Sequence, residues 1–280
     1  MCLVGILCFL VGAVVVKELL REMHTWMAGY MKSFYTEDEE VQQGIRVKEE
    51  HTGYVTANMV ALAKHLGLSE HDTALAEIMG LFHDVGRFHQ YTLYRTFNDA
   101  HSEDHAELGV KVIGELPCFQ KLSAEDYETV CFAIRHHNKK TLPADAGGRL
   151  LVFGKMLRDA DKLDIYRVLN PYLSKENEDK MPNFIQGKGH PEISPDFIED
   201  FVSGKQADFY RIRTLGDRKI VRLMWAYDVN FTWTMARIQE RGYLDQIIRH
   251  LPMDANVEKG VARLKDYVAQ KLRQEDRVEM

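Results

Sequence analysis

Apolar residues recur every three to four positions along most of the chain after residue 47, and alternation with a period of two is scarce. This spacing is typical of amphipathic helices that turn one face toward a core. Helix starts are marked where Ser69 precedes Asp72 by three residues and where Ser123 precedes Asp126 by the same interval, as in a capping box. The pattern therefore predicts an all-α protein.

Successive helices are expected, separated by short polar or glycine-containing connections. The predicted helices are 47–66, one capped by Ser69, one capped by Ser102 that ends before Pro117, one capped by Ser123, 149–169, a short one over 195–203, a long one carrying Ile220, Leu223, Met224, Tyr227, Phe231 and Met235, and a charged one after Asp254. Residues 170–195 contain four of the seven prolines and are predicted to form a long loop.

The first 16 residues contain no charged side chain. A helix of this length reaches about 24 Å, which is short of the roughly 30 Å hydrocarbon core of a membrane. The segment also lacks the basic start and the cleavage site of a signal peptide. Three interpretations stay open: a membrane anchor through residues 1–20, a helix buried against the fold, or a translation start at Met23, Met27 or Met31.

Charge and cysteine content exclude several classes of protein. A net charge of −6 and a pI near 6.1 argue against a long nucleic-acid-binding track, although a local basic pocket for one phosphate group is compatible with them. Four cysteines without a CxxC spacing indicate neither a disulfide framework nor a zinc finger. A cytoplasmic location is expected, with membrane anchoring through residues 1–20 as the alternative.

Histidines and aspartates recur within the predicted helices or at their ends. Their nitrogen and oxygen atoms suit borderline or hard divalent ions, and bundled helices often project such groups inward to form a metal site. The candidates are His51, His83, Asp84, His105, His136, His137 and Asp161. His83 and Asp84 follow an apolar run and precede Gly86, so this ionisable pair requires a partner if it is buried.

The ordered series H…HD…D resembles the HD-domain superfamily of metal-dependent phosphohydrolases. The motifs that carry the resemblance are HDVGR at 83–87, HAELG at 105–109 and ADKL at 160–163, and the similarity extends over about residues 46–168. The resemblance implies an all-helical HD-domain bundle with a metal ion at its centre, and hydrolysis of phosphate esters, often of nucleotides. The core ligands that it implies are His51, His83, Asp84 and Asp161.

The number of metal ions depends on the additional histidines. His105 with at least one of His136 and His137 would supply ligands for a second ion bridged by Asp84, as in the two-metal members of the family. Alternatively, these histidines contact a phosphate through N–H groups. The expected cofactor is one or two divalent ions per chain, chosen among Mn, Co, Ni, Zn, Mg and Fe.

Three residues are expected to take part in catalysis. Asp84 would hold or bridge the ions and orient the attacking water. Lys162 directly follows Asp161, and Arg87 follows Asp84 by three residues, so both are expected to bind the phosphate, or else to be solvated charges at helix ends.

The domain organisation predicted from these features has three parts. They are an apolar N-terminal segment over 1–22, an HD-domain metal-binding core over 23–170, and a loop with a helical C-terminal extension over 171–280. The aromatic residues between Trp225 and Trp233 are interpreted as core packing in preference to a surface for stacking a nucleobase. Whether the chain forms a homo-oligomer stays open.

The function predicted is hydrolysis of a small phosphorylated substrate, an EC 3.1-type reaction, with a nucleotide as the expected substrate. Two alternatives stay open: a di-iron oxygenase of the same superfamily, and a non-catalytic metal-binding sensor. The cyclic-di-GMP phosphodiesterase branch is disfavoured, because no G-Y-P tripeptide follows the paired histidines.

Overall fold

The computed structural model describes residues 3–173, 190–206 and 209–278, with side chains from residue 18 onward except at residue 210. Every regular element within these residues is helical, and no strand occurs among them. The predicted all-α fold class is therefore confirmed.

The chain divides into two compact units, one formed by the residues up to Asp161 together with those from Val278 onward, and the other running from Lys162 to Arg277. The first unit contains α1 (Leu3–Lys32), α2 (Glu39–His65), α3 (Glu70–Phe82), α4 (Val85–Tyr94), α5 (His105–Gly114), α6 (Ala124–His136) and the start of α7 (Gly148–Leu169). The second unit contains the end of α7, α8 (Pro195–Ser203), α9 (Leu215–Met224), α10 (Thr232–Glu240), α11 (Tyr243–Ile248) and α12 (Ala255–Lys271).

The core of the first unit depends on a close crossing of α2 and α3. Gly80 lies at this crossing, where an added Cβ would come within 2.7 Å of the Thr56 Cα. Real Cβ atoms essentially never approach another atom this closely. The glycine therefore lets the two backbones approach, and this brings His51 of α2 close to His83, which directly follows α3.

The described side chains of α1 pack against the first unit. Met23 and Met27 are fully buried, and the Trp26 ring stacks on Phe82 with ring centroids 5.8 Å apart. Within the described residues, no helix combines the length and apolar character that crossing a membrane requires. The expectation that concerns the side chains at positions 1–17 lies outside the described residues.

Two predicted helix starts are wrong, and the observed starts have better caps. The helix expected from Val47 begins at Glu39, because the Asp38 carboxylate accepts a backbone N–H of its first turn. The start expected after Ser102 lies two residues later, where Asp104 accepts two backbone N–H groups of α5. The caps predicted at Ser69 and Ser123 are observed, and the helix predicted after Asp254 is capped by that residue.

The second unit has its own apolar core. α8 packs on α9 and α12, and the fully buried side chains there include Phe197, Phe201 and Ile220. Of the predicted loop over 170–195, residues 170–172 form a 3₁₀ turn, and residues 174–189 lie outside the described part of the chain.

The long helix predicted through Met235 is wrong, because α9 ends at Met224 and a 3₁₀ turn follows it. A new helix begins at Thr232. The carboxylate of Asp276 accepts the backbone N–H groups of Thr232 at 2.6 Å and Trp233 at 3.0 Å. An acceptor supplied from 44 residues away thus satisfies the start of α10, which explains why the local pattern did not predict the break.

Candidate metal centre

Helices of the first unit bring six of the seven predicted ligands together. His51 lies on α2, the His83–Asp84 pair connects α3 to α4, and His105 opens α5. His137 directly follows α6, and Asp161 lies on α7. His51, His83, Asp84, His105 and His137 are buried, and Asp161 is half-buried.

Asp84 stands between two pairs of histidines. Its Oδ2 lies 3.5 Å from the Nε2 atoms of both His51 and His83. Its Oδ1 lies 3.4 Å from the Nε2 of His105 and 3.8 Å from that of His137. Each carboxylate oxygen therefore faces one pair, which is the arrangement that a bridging ligand requires.

Two ligand groups result. In the first, the Nε2 atoms of His51 and His83 are 3.2 Å apart, and the His51 Nε2 is 3.0 Å from the Asp161 Oδ1. In the second, which includes Asp84, the Nε2 atoms of His105 and His137 are 3.0 Å apart. Within each group the candidate donor atoms lie within 4.8 Å of one another, so each group could hold one ion.

The hydrogen bonds of the imidazoles fit a cation. His83 and His137 each donate Nδ1–H to a backbone carbonyl, at 2.8 Å and 2.6 Å, and His105 donates Nδ1–H to the Asp99 carboxylate at 2.7 Å. A neutral imidazole that donates through Nδ1 has a lone pair on Nε2. The facing Nε2 atoms of His105 and His137 are then two acceptors, which cannot hydrogen-bond each other. A cation between them would satisfy both.

The pKa values of these side chains also suit metal ligands. Burial lowers the pKa of His83 to about 4 and that of His105 to about 3, so both imidazoles are neutral at neutral pH. Burial raises the pKa of Asp84, but the Lys48 ammonium, with a smaller contribution from the Arg87 guanidinium, brings that pKa well below its ordinary value. For Asp161 the hydrogen bond with His51 lowers the pKa against the same effect of burial. Metal ligands must be deprotonated, and these groups already are.

Lys48 is a site residue that the sequence reasoning missed. Its ammonium lies 2.6 Å from the Asp84 Oδ2 and 5.1 Å from the centre of the Phe97 ring. The available signal was its position three residues before His51, which puts both side chains on one face of α2.

Asp99 was missed as well. It accepts hydrogen bonds from His105, from Arg87 at 2.9 Å, from Gln90 at 2.8 Å and from Asn138 at 3.1 Å. A carboxylate that binds the Nδ1–H of a ligand histidine fixes the ring orientation and makes Nε2 more basic. Asp99 lies in a 3₁₀ turn between α4 and α5, where no helical period marks it.

Three predicted residues have other surroundings. Arg87 binds Asp99, and its Nε lies 3.4 Å from the Asp84 Oδ1, so this guanidinium supports the ligands. The Lys162 ammonium forms an ion pair with Asp228 at 2.7 Å. His136 lies outside both ligand groups and donates Nδ1–H to a backbone carbonyl of α6 at 2.9 Å.

Gly86 has a steric role in the HDVG segment. An added Cβ would lie 2.8 Å from the Gly109 backbone nitrogen and closer still to the carbonyl oxygen of His105. The absence of a side chain therefore allows α4 to contact the first turn of α5, where His105 begins. This contact holds the two ligand groups next to each other.

Comparison with known proteins gives one match. The family model of the HD domain matches residues 49–166, which include all six residues of the two ligand groups. No curated protein and no solved structure matches the chain.

Proposed function

Because residues 49–166 of this chain form a domain of the HD superfamily, we propose that it is a metal-dependent phosphohydrolase acting on a small phosphate ester, with nucleotides as the substrate class. The observation that carries the proposal is the position of Asp84, whose two oxygens face two separate histidine pairs. A site for two adjacent ions is the arrangement used to clamp the attacking and leaving oxygens of a displacement.

Six residues of the chain would bind the ions directly, and others would position these ligands. His51, His83 and Asp161 would hold one ion, and His105 and His137 would hold the second, with Asp84 shared between them. Divalent ions held there would lower the pKa of a water molecule and neutralise charge on the phosphoryl oxygens.

Two cations support Asp84 in this proposal. Lys48 keeps the Asp84 carboxylate charged, because its ammonium lowers the pKa of that group. Arg87 joins Asp84 to Asp99, which in turn orients His105. Lys162 does not contact the phosphate in this scheme, since its ammonium pairs with Asp228 at 2.7 Å.

The neighbouring histidines at the end of α6 offer a matched test. His137 belongs to the second ligand group and His136 does not. The experiment compares three proteins purified without chelator: the unmodified chain, His137→Ala and His136→Ala. Metal content is measured for each, together with phosphate release from a panel of nucleotides and other phosphomonoesters and phosphodiesters. We expect His137→Ala to lose metal and activity and His136→Ala to keep both.

Other outcomes would replace the proposal. Equal loss in both variants would contradict the assignment of His137. Bound metal without phosphate release over the whole panel would favour the non-catalytic sensor. Two equivalents of iron with oxygen consumption and no phosphate release would favour the di-iron oxygenase.

A further inference from the structure

Two arginines on α9, one buried and one half-buried, have no carboxylate partner within the described part of the chain. Arg222 is only 6% exposed, and Arg218 is half-buried one helical turn before it. In the described part of the chain, the charged or titratable groups that influence the Arg222 pKa are Arg218 and Tyr166, and no carboxylate is among them. The pKa of Arg218 responds to burial alone. A buried charge without a counterion is costly, so this pair of cations calls for a partner.

Both arginines stay charged despite burial. Burial, with a smaller contribution from the Arg218 charge, lowers the pKa of Arg222 to about 10. The guanidinium is therefore protonated at neutral pH. Its burial cost is that of a full positive charge, repelled by a second positive charge one turn away.

An unused donor lies on the same helix face. Trp225 follows Arg222 by three residues and Arg218 by seven, which places all three on one side of α9 and its C-cap. The Trp225 Nε1 is buried, and no hydrogen-bond partner for it exists among the described residues. Two guanidiniums and one indole N–H thus provide donors on this face and no acceptor.

Two aromatic rings lie beside the Trp225 indole. The Tyr166 hydroxyl donates to the Arg222 carbonyl at 2.7 Å, and its ring centroid lies 5.6 Å from that of Trp225. The Phe209 ring centroid lies 5.7 Å from that of Trp225, and Phe209 is 52% exposed. The donors therefore lie beside apolar walls, where electrostatic attraction to an anion is stronger than in water.

We propose that Arg218, Arg222 and the Trp225 indole form a binding site for a phosphate group in the second unit. A guanidinium donates in a fork that matches two phosphate oxygens, and a phosphate dianion balances two positive charges. The phosphate can be the free anion or part of a nucleotide, whose base would stack on the exposed Phe209 ring. None of these residues belongs to the two metal-ligand groups, so the site is independent of the proposed hydrolysis.

The test is the thermal stability of the full chain as a function of phosphate concentration. The protein would be kept in chelator so that no metal contributes, and sodium chloride would hold the ionic strength constant. A ligand that binds only the folded state raises Tm with the logarithm of its concentration. We expect this rise for the unmodified chain and a phosphate affinity about ten- to hundredfold weaker in Arg222→Met.

Further variants keep the test decisive. If Arg222→Met does not fold, Arg218→Met tests the same site, because Arg218 is only half-buried. This variant should also lose the phosphate response. Arg273→Met is the matched control, because it removes one charge at an exposed position of the same unit and should leave the response unchanged. Without phosphate, Arg222→Met should melt no lower than the unmodified chain, since it removes an uncompensated buried charge.

The two sources of phosphate are separated by a second titration with AMP. Tighter binding of AMP than of inorganic phosphate, with the difference lost in Phe209→Ala, would assign a nucleotide. Equal affinities would assign the free anion. A Tm that responds to phosphate equally in the unmodified chain, Arg218→Met, Arg222→Met and Arg273→Met, or in none of them, would overturn the proposal.

Discussion

Replacing Gly86 by alanine should separate α4 from α5 at the candidate metal centre. The new Cβ would lie 2.8 Å from the Gly109 nitrogen, 2.9 Å from the Leu108 Cβ and closer still to the His105 carbonyl oxygen. Backbone atoms cannot rotate away as a flexible side chain does. The first turn of α5 must therefore move, and His105 moves with it.

The cost follows from these contacts. Forcing an extra methyl group into a packed interior costs about 1–3 kcal/mol. The close contacts are with backbone atoms, so the cost lies in the upper part of this range. Alanine gains about 1 kcal/mol over glycine in helix propensity, which leaves a net loss of about 1–2 kcal/mol. At roughly 2–4 °C per kcal/mol for a unit of this size, we expect Tm to fall by about 2–8 °C.

Thermal melting and metal analysis measure the two consequences separately. Because the displaced turn carries a ligand of the second group, bound metal per chain should decrease in Gly86→Ala. Gly109→Ala is the matched control in the same helix contact: its Cβ would meet Val85 Cγ1 at 3.4 Å and Ile134 Cγ2 at 3.5 Å, which are ordinary contacts. That variant should keep its metal and melt at the same or a slightly higher temperature.

A Gly86→Ala variant that melts with the unmodified chain and binds the same amount of metal would refute this reasoning. It would mean that α5 shifts at no cost, and the glycine of HDVG would then have no steric role. A Tm decrease of equal size in Gly109→Ala would also refute it, because the effect would then belong to any glycine of this interface.

Three further effects are expected. Asp99→Asn should weaken metal binding about 10- to 100-fold in competition with a chelator, because His105 loses its charged partner, and an unchanged affinity would argue against that role. Arg149→Met should cost about 2 kcal/mol in urea unfolding at pH 7. Burial raises the pKa of Asp126, but the Arg149 hydrogen bond and other partners lower it below its ordinary value. This contribution is therefore present above about pH 4 and lost as pH falls further, and a difference that persists undiminished at pH 2 would contradict it. Asp254→Ala should cost about 1 kcal/mol, because it removes the acceptor of two N–H groups of α12; circular dichroism during urea unfolding would detect it, and an unchanged midpoint would count against the cap.

Local signals account for the correct part of the fold prediction. The caps at Ser69 and Ser123 depend on residues three positions away, so the sequence shows both partners at once. The helix break before Thr232 depends on Asp276, and no local pattern contains that information. The wrong start at Val47 has a different cause, because the cap at Asp38 is local and binds a backbone N–H only three residues away.

The amino-acid pattern alone specifies the all-α class, most helices and the residues that can act as ligands, because helical period and capping operate over a few neighbouring positions. Long-range packing selects among those residues. It brings His137 rather than His136 into the second ligand group, adds Asp99 and Lys48, and occupies Arg87 with ion pairs. The physical reason is that a ligand needs an orientation and a charge environment, and both come from side chains on other helices.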